Sequence, residues 1–259
     1  MRVCVLGAGV VGLTTAYYLA RAGAQVTLVE RSGAPGQGAS YANGGQLSYS
    51  YVAPLAAPGA LAGLLGGLLR TDRPLRLRPR LDPRQWRWGS AFLRSCTAPR
   101  SRRAIAELMP LAYLSRAGLR EMVAQEPIEF DYQRSGKLIV YSDRAALEEA
   151  KALAAYQATL GAEQAVLDAK ACVALEPSLA AMGSRIQGGV HTPSEDAGDC
   201  EKFCAGLDRL LAERYRVERL YHHDIGALRR EGRRLRSVLT DRGEIEADLV
   251  VRRASAAAG

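Results

Sequence analysis

Gly7-Ala8-Gly9-Val10-Val11-Gly12 is a G-x-G-x-x-G run set between an apolar segment, Arg2 to Leu6, and a helical pattern, Val10 to Ala22. In that setting each glycine has a task. Gly7 permits a tight turn, Gly9 lets a pyrophosphate approach the backbone, and Gly12 lets helix and strand pack closely. The helix that opens beyond Gly9 offers free N–H donors and a partial positive charge to phosphates. Glu30 ends the next apolar segment, Gln25 to Glu30, eighteen residues past Gly12. A carboxylate there accepts hydrogen bonds from a ribose diol and repels a 2′-phosphate, which argues against NADP. Strand, turn, helix, strand and acid therefore read as one βαβ dinucleotide-binding unit, and the motif alone leaves NAD and FAD open.

The following segment narrows the choice. Ser32 to Ser50 is rich in Gly, Ser, Ala and Asn and reads as a long loop. Within it Ser40-Tyr41-Ala42-Asn43-Gly44-Gly45-Gln46-Leu47-Ser48 combines small residues with amide and hydroxyl groups, a composition suited to close approach of a flat ring and its ribityl chain. Gly23 stands where the first helix should close, because glycine accepts the left-handed conformation of a C-terminus.

The remaining elements must hold this unit. Helical periodicity covers Ser101 to Gln125, Arg144 to Leu160 and Asp199 to Arg214. Ile128 to Tyr132 with Lys137 to Tyr141 reads as a strand pair, Arg185 to His191 as a strand, and Leu235 to Thr240 with Glu244 to Val251 as a hairpin around Asp241-Arg242-Gly243. The expected class is α/β, a Rossmann-type domain interrupted by an α+β substrate domain. Its expected boundaries are 1–50 for the first part of the nucleotide domain, 51–185 for a Pro/Arg-rich insertion and substrate domain, and 186–259 for the return.

Hydrophobic residues at 48% and charged residues at 24% match an ordinary globular chain and argue against wholesale disorder or multiple membrane spans. The net charge of +8 is local: eleven arginines lie between Arg70 and Arg103, opposed only by Asp72 and Asp82. The rest of the chain is nearly balanced, and no nucleic-acid partner is expected. Val52 to Leu69 carries no charge, and Pro54, Pro58 and four glycines break any continuous span. With the arginines and Trp86 and Trp88 beside it, the region reads either as a patch for an anionic bilayer or as a solvated basic flap. The start of the chain lacks a secretion-signal pattern, so a cytoplasmic location is expected. Cys4, Cys96, Cys172, Cys200 and Cys204 are odd in number and scattered, which suits reduced structural thiols and no metal site.

On these residues the chain resembles the D-amino acid dehydrogenases, flavoproteins of the D-amino acid oxidase and glycine oxidase superfamily. Tyr51-Val52-Ala53-Pro54-Leu55-Ala56-Ala57-Pro58-Gly59 is similar to that family's Pro-rich stretch. Gln85-Trp86-Arg87-Trp88 and Phe92-Leu93-Arg94-Ser95-Cys96 are similar to its tryptophan segment, and Glu176-Pro177, Gly188-Gly189 and Gly198-Asp199-Cys200 also match. The resemblance implies FAD as cofactor and oxidation of a D-amino acid to an imine that hydrolyses to a 2-oxo acid and ammonia. Electrons would pass to the respiratory chain, through a quinone or membrane surface on the inner face of the cell membrane. It also implies FAD contacts from Val3, Leu6, Gly7, Gly9, Val10, Val11, Gly12, Glu30, Arg31, Ser40, Asn43, Gly45, Gln46 and Val217. A glycine- or sarcosine-type amine oxidase, and a non-enzymatic, basic, membrane-associating remnant of a dinucleotide fold, are the alternatives weighed.

The sequence departs from the family in two places. Family members continue well past Gly259, so the substrate carboxylate clamp is expected beyond this chain, which would then be weakly active or inactive alone; no catalytic residue is named. Arg252-Arg253 stands where the family has small residues, and the tail from there reads as altered coding. Arg219 falls on the same strand face as Val217 and Tyr221, where burial without a partner would be costly.

Overall fold

A computed structural model describes residues 1–58, 82–232 and 234–252. The described chain opens with β1 (Arg2–Leu6), α1 (Val10–Arg21), β2 (Gln25–Val29) and β3 (Gln46–Leu47), followed by α2 (Pro83–Ser95) and α3 (Ala98–Gln125). It continues with β4 (Lys137–Tyr141), α4 (Arg144–Ala158), β5 (Ala165–Leu167), α5 (Ala169–Leu175), a 3₁₀ segment (Pro177–Arg185), β6 (Gly188–Thr192) and β7 (Asp196–Ala197). The last elements are α6 (Cys200–Glu213), β8 (Glu218–Leu220), β9 (Ile225–Glu231), β10 (Arg234–Thr240), β11 (Gly243–Glu246) and β12 (Leu249–Arg252).

The chain divides into two compact units. The first contains Met1–Leu47, Val123–Gln133 and Asp196–Gly259; the second contains Ser48–Met122 and Arg134–Glu195.

In the first unit a parallel sheet runs in the order β12-β1-β2-β8. The central strand β1 is buried from Val3 to Leu6, as a strand covered on both faces must be. Tyr17, Leu13 and Ala16 of α1 are fully buried, as are Leu28 and Val29 of β2. Beyond this sheet, β9, β10 and β11 form an antiparallel meander whose Val238 packs with Cys4, Leu6, Val29 and Ala247 in one apolar cluster. The mixed α/β class with a parallel sheet is the expected one.

In the second unit β4, β6 and β5 make an antiparallel sheet, with β6 central. Its helical layer includes an apolar cluster of Ile105, Met109 and Ala162. Buried Glu195 accepts from the amides of Tyr49 at 2.7 Å and Ser50 at 2.6 Å, so the incoming loop is tied down by a carboxylate.

Three local expectations change. Ile128 to Tyr132 is not a strand: Pro127 removes a donor, Asp131 adopts φ +54°, and Ile128 and Phe130 are buried in the first unit instead. Phe130 packs edge-on against Phe203 of α6, and Lys137–Tyr141 pairs with β6. The 235–251 hairpin closes at β11, and β12 leaves it to pair parallel with β1. Asp248 there accepts from the Arg2 amide at 2.8 Å and donates its own amide to the Arg2 carbonyl at 3.0 Å. Arg219 is not unpaired: its guanidinium meets the Asp208 carboxylate at 2.6 Å, and the Tyr221 hydroxyl donates to the other Asp208 oxygen at 2.5 Å.

The uncharged stretch and arginine cluster lie outside the described residues from 59 to 81, as do Arg253 and the tail. Arg252 is the exposed last residue of β12, in register with Leu6. Among the described residues no helix is long and apolar enough to cross a membrane. All five cysteines are free thiols, and burial pushes that of Cys4 up to about 11, with Glu218 adding to the rise.

Candidate functional site

The sheet order places a topological switch point between β1 and β12, because the chain leaves β1 toward β2 on one side and returns to β12 on the other. Ligands of open parallel sheets bind at the carboxyl ends of strands at such a point. Gly7 follows β1 there.

Gly7 adopts φ +102°, a region that disfavours any side chain, and its amide donates to the Val29 carbonyl at 2.8 Å. A Cβ on Gly12 would lie 1.8 Å from the Gly7 carbonyl oxygen, so only glycine lets the first turn of α1 close onto the loop. Gly9 is the N-cap, extended at φ −81° and ψ 176°, and caps no amide with a side chain. The first N–H groups of a helix have no intrahelical acceptor. Here the Val10 amide is met by the buried Ser40 hydroxyl at 3.1 Å, and Val11 is exposed.

Glu30 sits just past β2. One carboxylate oxygen accepts from the Ala8 amide at 2.7 Å and the other from the Ser32 amide at 2.8 Å. These bonds leave acceptor capacity on each oxygen, since an ionised carboxylate has about four lone-pair sites. The acid therefore links the glycine turn to the loop after β2 and holds a fixed orientation.

Five expected site residues, Gly7, Gly9, Gly12, Glu30 and Ser40, thus converge on one turn, with Val10 and Val11 in the helical turn above it. Val3 and Leu6 lie buried in β1 beneath. Arg31 is exposed next to Glu30. Asn43, Gly45 and Gln46 form a second group at β3: the Asn43 side chain accepts from the Gly45 amide at 2.9 Å, Gly45 takes φ +61°, and Gln46 pairs with Ala197 of β7. Val217 is buried at the entry to β8, its amide donating to the Leu211 carbonyl at 2.9 Å.

Sequence reasoning missed two parts of this arrangement. Gly36, at φ +72°, donates its amide to the Ala8 carbonyl at 2.8 Å and so folds the loop back onto the turn. The Pro35-Gly36 pair is a turn signal that marks it. Gly33 lies under the His222 imidazole, where a Cβ would be 2.6 Å from the ring; nothing local to either residue announces that contact.

A positive-φ glycine, a helix start that only glycine can bring close, an N-cap without a side chain and an oriented carboxylate at the end of the second strand fit the pyrophosphate and ribose of a dinucleotide. The family described as DAO, FAD dependent oxidoreductase, matches residues 2–254. D-amino acid dehydrogenase 2 of Ralstonia nicotianae is 49% identical over 252 residues, 97% of this chain and 59% of that protein. D-amino acid dehydrogenase 2 of Pseudomonas aeruginosa is 45% identical over 251 residues, 96% of this chain and 59% of that protein. The chain therefore spans about three fifths of the length of these curated relatives. Glycine oxidase from Bacillus cereus superposes with a TM-score of 0.68 at 18% identity, over 97% of this chain and 54% of that one, and shares the fold. Fold and sequence agree: the chain belongs to the DAO family of FAD dependent oxidoreductases, whose cofactor is FAD.

Proposed function

We propose that this protein takes part in FAD-dependent oxidative deamination of D-amino acids to 2-oxo acids and ammonia, with electrons passed to the respiratory chain at the inner face of the cell membrane. The observation that carries the substrate class is the 49% identity to a D-amino acid dehydrogenase along 97% of this chain.

In this reading FAD, when bound, supplies the two-electron acceptor for hydride from the substrate Cα. The chain's own part is binding and orientation. The N–H groups at the start of α1 face the pyrophosphate charge, and Glu30, fixed by Ala8 and Ser32, accepts from ribose hydroxyls. Gly7, Gly9 and Gly12 keep side chains out of the approach. Val3, Leu6, Val10 and Val11 form the walls of the turn, Ser40 sets its helix start, and Arg31 and Val217 flank the adenosine end. Asn43, Gly45 and Gln46 serve the ring end.

The test is the visible spectrum of the purified chain after incubation with FAD and desalting, then anaerobic addition of D-alanine. Flavin bands that persist are expected, and any bleaching, slow in a chain without the expected carboxylate clamp, should follow D-alanine and not L-alanine. A protein left colourless at saturating FAD overturns the assigned cofactor contacts. Bleaching by L-alanine faster than by D-alanine overturns the substrate, and bleaching by glycine or sarcosine instead moves the reading to an amine oxidase.

A further inference from the structure

Helix α2 (Pro83–Ser95) is well formed yet contributes no buried residue to the second unit. Its start is specified locally: the Asp82 carboxylate accepts from the Arg84 amide at 2.8 Å, and Pro83 takes the first helical position. Its large apolar side chains point outward, Trp86 at 60% exposure, Trp88 at 57% and Leu93 at 48%. A helix with nothing to bury normally carries a polar surface all round, and this one does not.

At about 100° per residue, Trp88, Phe92, Leu93 and Trp86 fall within one arc of roughly 160°, and Arg84, Arg87 and Arg94 occupy the opposite side. The Trp88 and Phe92 rings stack with centroids 5.4 Å apart, which makes that arc continuous. The helix holds no acidic residue, and Asp82 is engaged as its cap. Tryptophan at the apolar edge with arginine on the polar face is the pattern of a helix lying in the headgroup region of a bilayer, where the indole body is sheltered and guanidinium groups meet phosphates. A protein partner would call for an apolar or acidic counter-surface; an anionic lipid surface satisfies both faces of this helix at once.

We infer that α2 seats the protein on an anionic bilayer, its Trp86, Trp88 and Leu93 side entering the headgroup–acyl boundary and its arginines pairing with lipid phosphates. This inference rests on the membrane-directed electron delivery proposed above and assigns it to one element.

The chain contains two tryptophans, and both are on α2, so intrinsic tryptophan fluorescence reports this helix alone. The experiment titrates the whole chain with vesicles of phosphatidylcholine, or of phosphatidylcholine with one third phosphatidylglycerol. A blue shift and co-sedimentation with the anionic vesicles are expected, at least tenfold weaker on pure phosphatidylcholine and lost in high salt. Quenching by lipids brominated in the upper acyl chain is expected for the unaltered protein, which makes this readout independent of any variant. The double substitution Arg84→Gln and Arg87→Gln should weaken anionic-vesicle binding by about tenfold or more, from roughly 1 kcal/mol per basic residue at such a surface. Leu93→Ser should weaken it on both vesicle types. No shift with anionic vesicles, equal binding to both compositions, or a blue shift that follows protein concentration without lipid, as a second copy covering the face would give, overturns the inference. Flavin retention by the same variants, unchanged, keeps this outcome separate from that of the cofactor site.

Discussion

Two polar constructions hold the first unit together, and they are built on opposite plans. The glycine turn from Gly7 to Gly12 is made of consecutive residues whose backbone does the work, with Glu30 as its one charged side chain, carrying two amide donors. The knot around Glu126 is made of side chains far apart in sequence. Glu126 is buried and accepts from the Tyr17 hydroxyl at 3.1 Å, the Tyr215 hydroxyl at 2.6 Å and the Arg214 guanidinium at 2.5 Å. Burial, then these bonds, raises the Tyr17 phenol well above its ordinary range. Asp208 repeats the plan with Arg219 and Tyr221. The turn leaves acceptors and donors for a ligand, whereas the knots commit theirs to one another, so the first reads as a binding feature and the second as a fastening.

The comparison breaks most severely at Gly12. Gly12→Val places carbon atoms against the Gly7 carbonyl, which the first of them would meet at 1.8 Å. Flavin retention should vanish, and thermal unfolding should show a loss of about 3 kcal/mol or more, as for severe overpacking. Glu126→Ala should leave flavin contacts alone but cost about 2–3 kcal/mol in a denaturant titration, because the hydroxyls of Tyr17 and Tyr215 lose their acceptor. Asp208→Ala should cost about 2 kcal/mol for the same reason, Arg219 being part-exposed and partly rescued by water. The triple change Asp208→Leu, Arg219→Met and Tyr221→Phe, which removes every polar member of the group, should return most of that loss, since apolar replacement of an ion pair is often neutral; an unrecovered loss would make the knot more than a fastening.

Glu30→Gln sharpens the contrast from the other side: about tenfold weaker FAD binding by fluorescence titration, with little change in the melting temperature. A large stability loss there would place Glu30 with the knots. The smallest effect concerns β1 beneath the turn. The buried Cys4 thiol has its pKa raised from 9.0 to about 11, so between these values the folded state binds the proton that the unfolded state releases. Stability is fully present below pH 9 and falls as pH rises through that window, by about 1 kcal/mol at pH 10. Cys4→Ala should reduce the drop in melting temperature between pH 8 and pH 10, and an unchanged drop would assign it to the raised tyrosines instead.

The amino-acid sequence by itself determined the glycine turn, the helix behind it, the two flanking strands and Glu30, because all of these follow from short-range rules: positive φ, helix capping and side-chain period. It also put Trp86, Trp88 and their neighbouring arginines in one patch, but that they ride on a helix, α2, came only from the structure. Only the tertiary structure decided where β12 goes, that Ile128 and Phe130 face α6 rather than a partner strand, and that Arg219 finds Asp208. Each of those depends on which distant segment arrives opposite, with β12 joining β1 across more than two hundred residues of chain. A residue's own type announces the need for a partner, as Arg219 does, but packing alone supplies it.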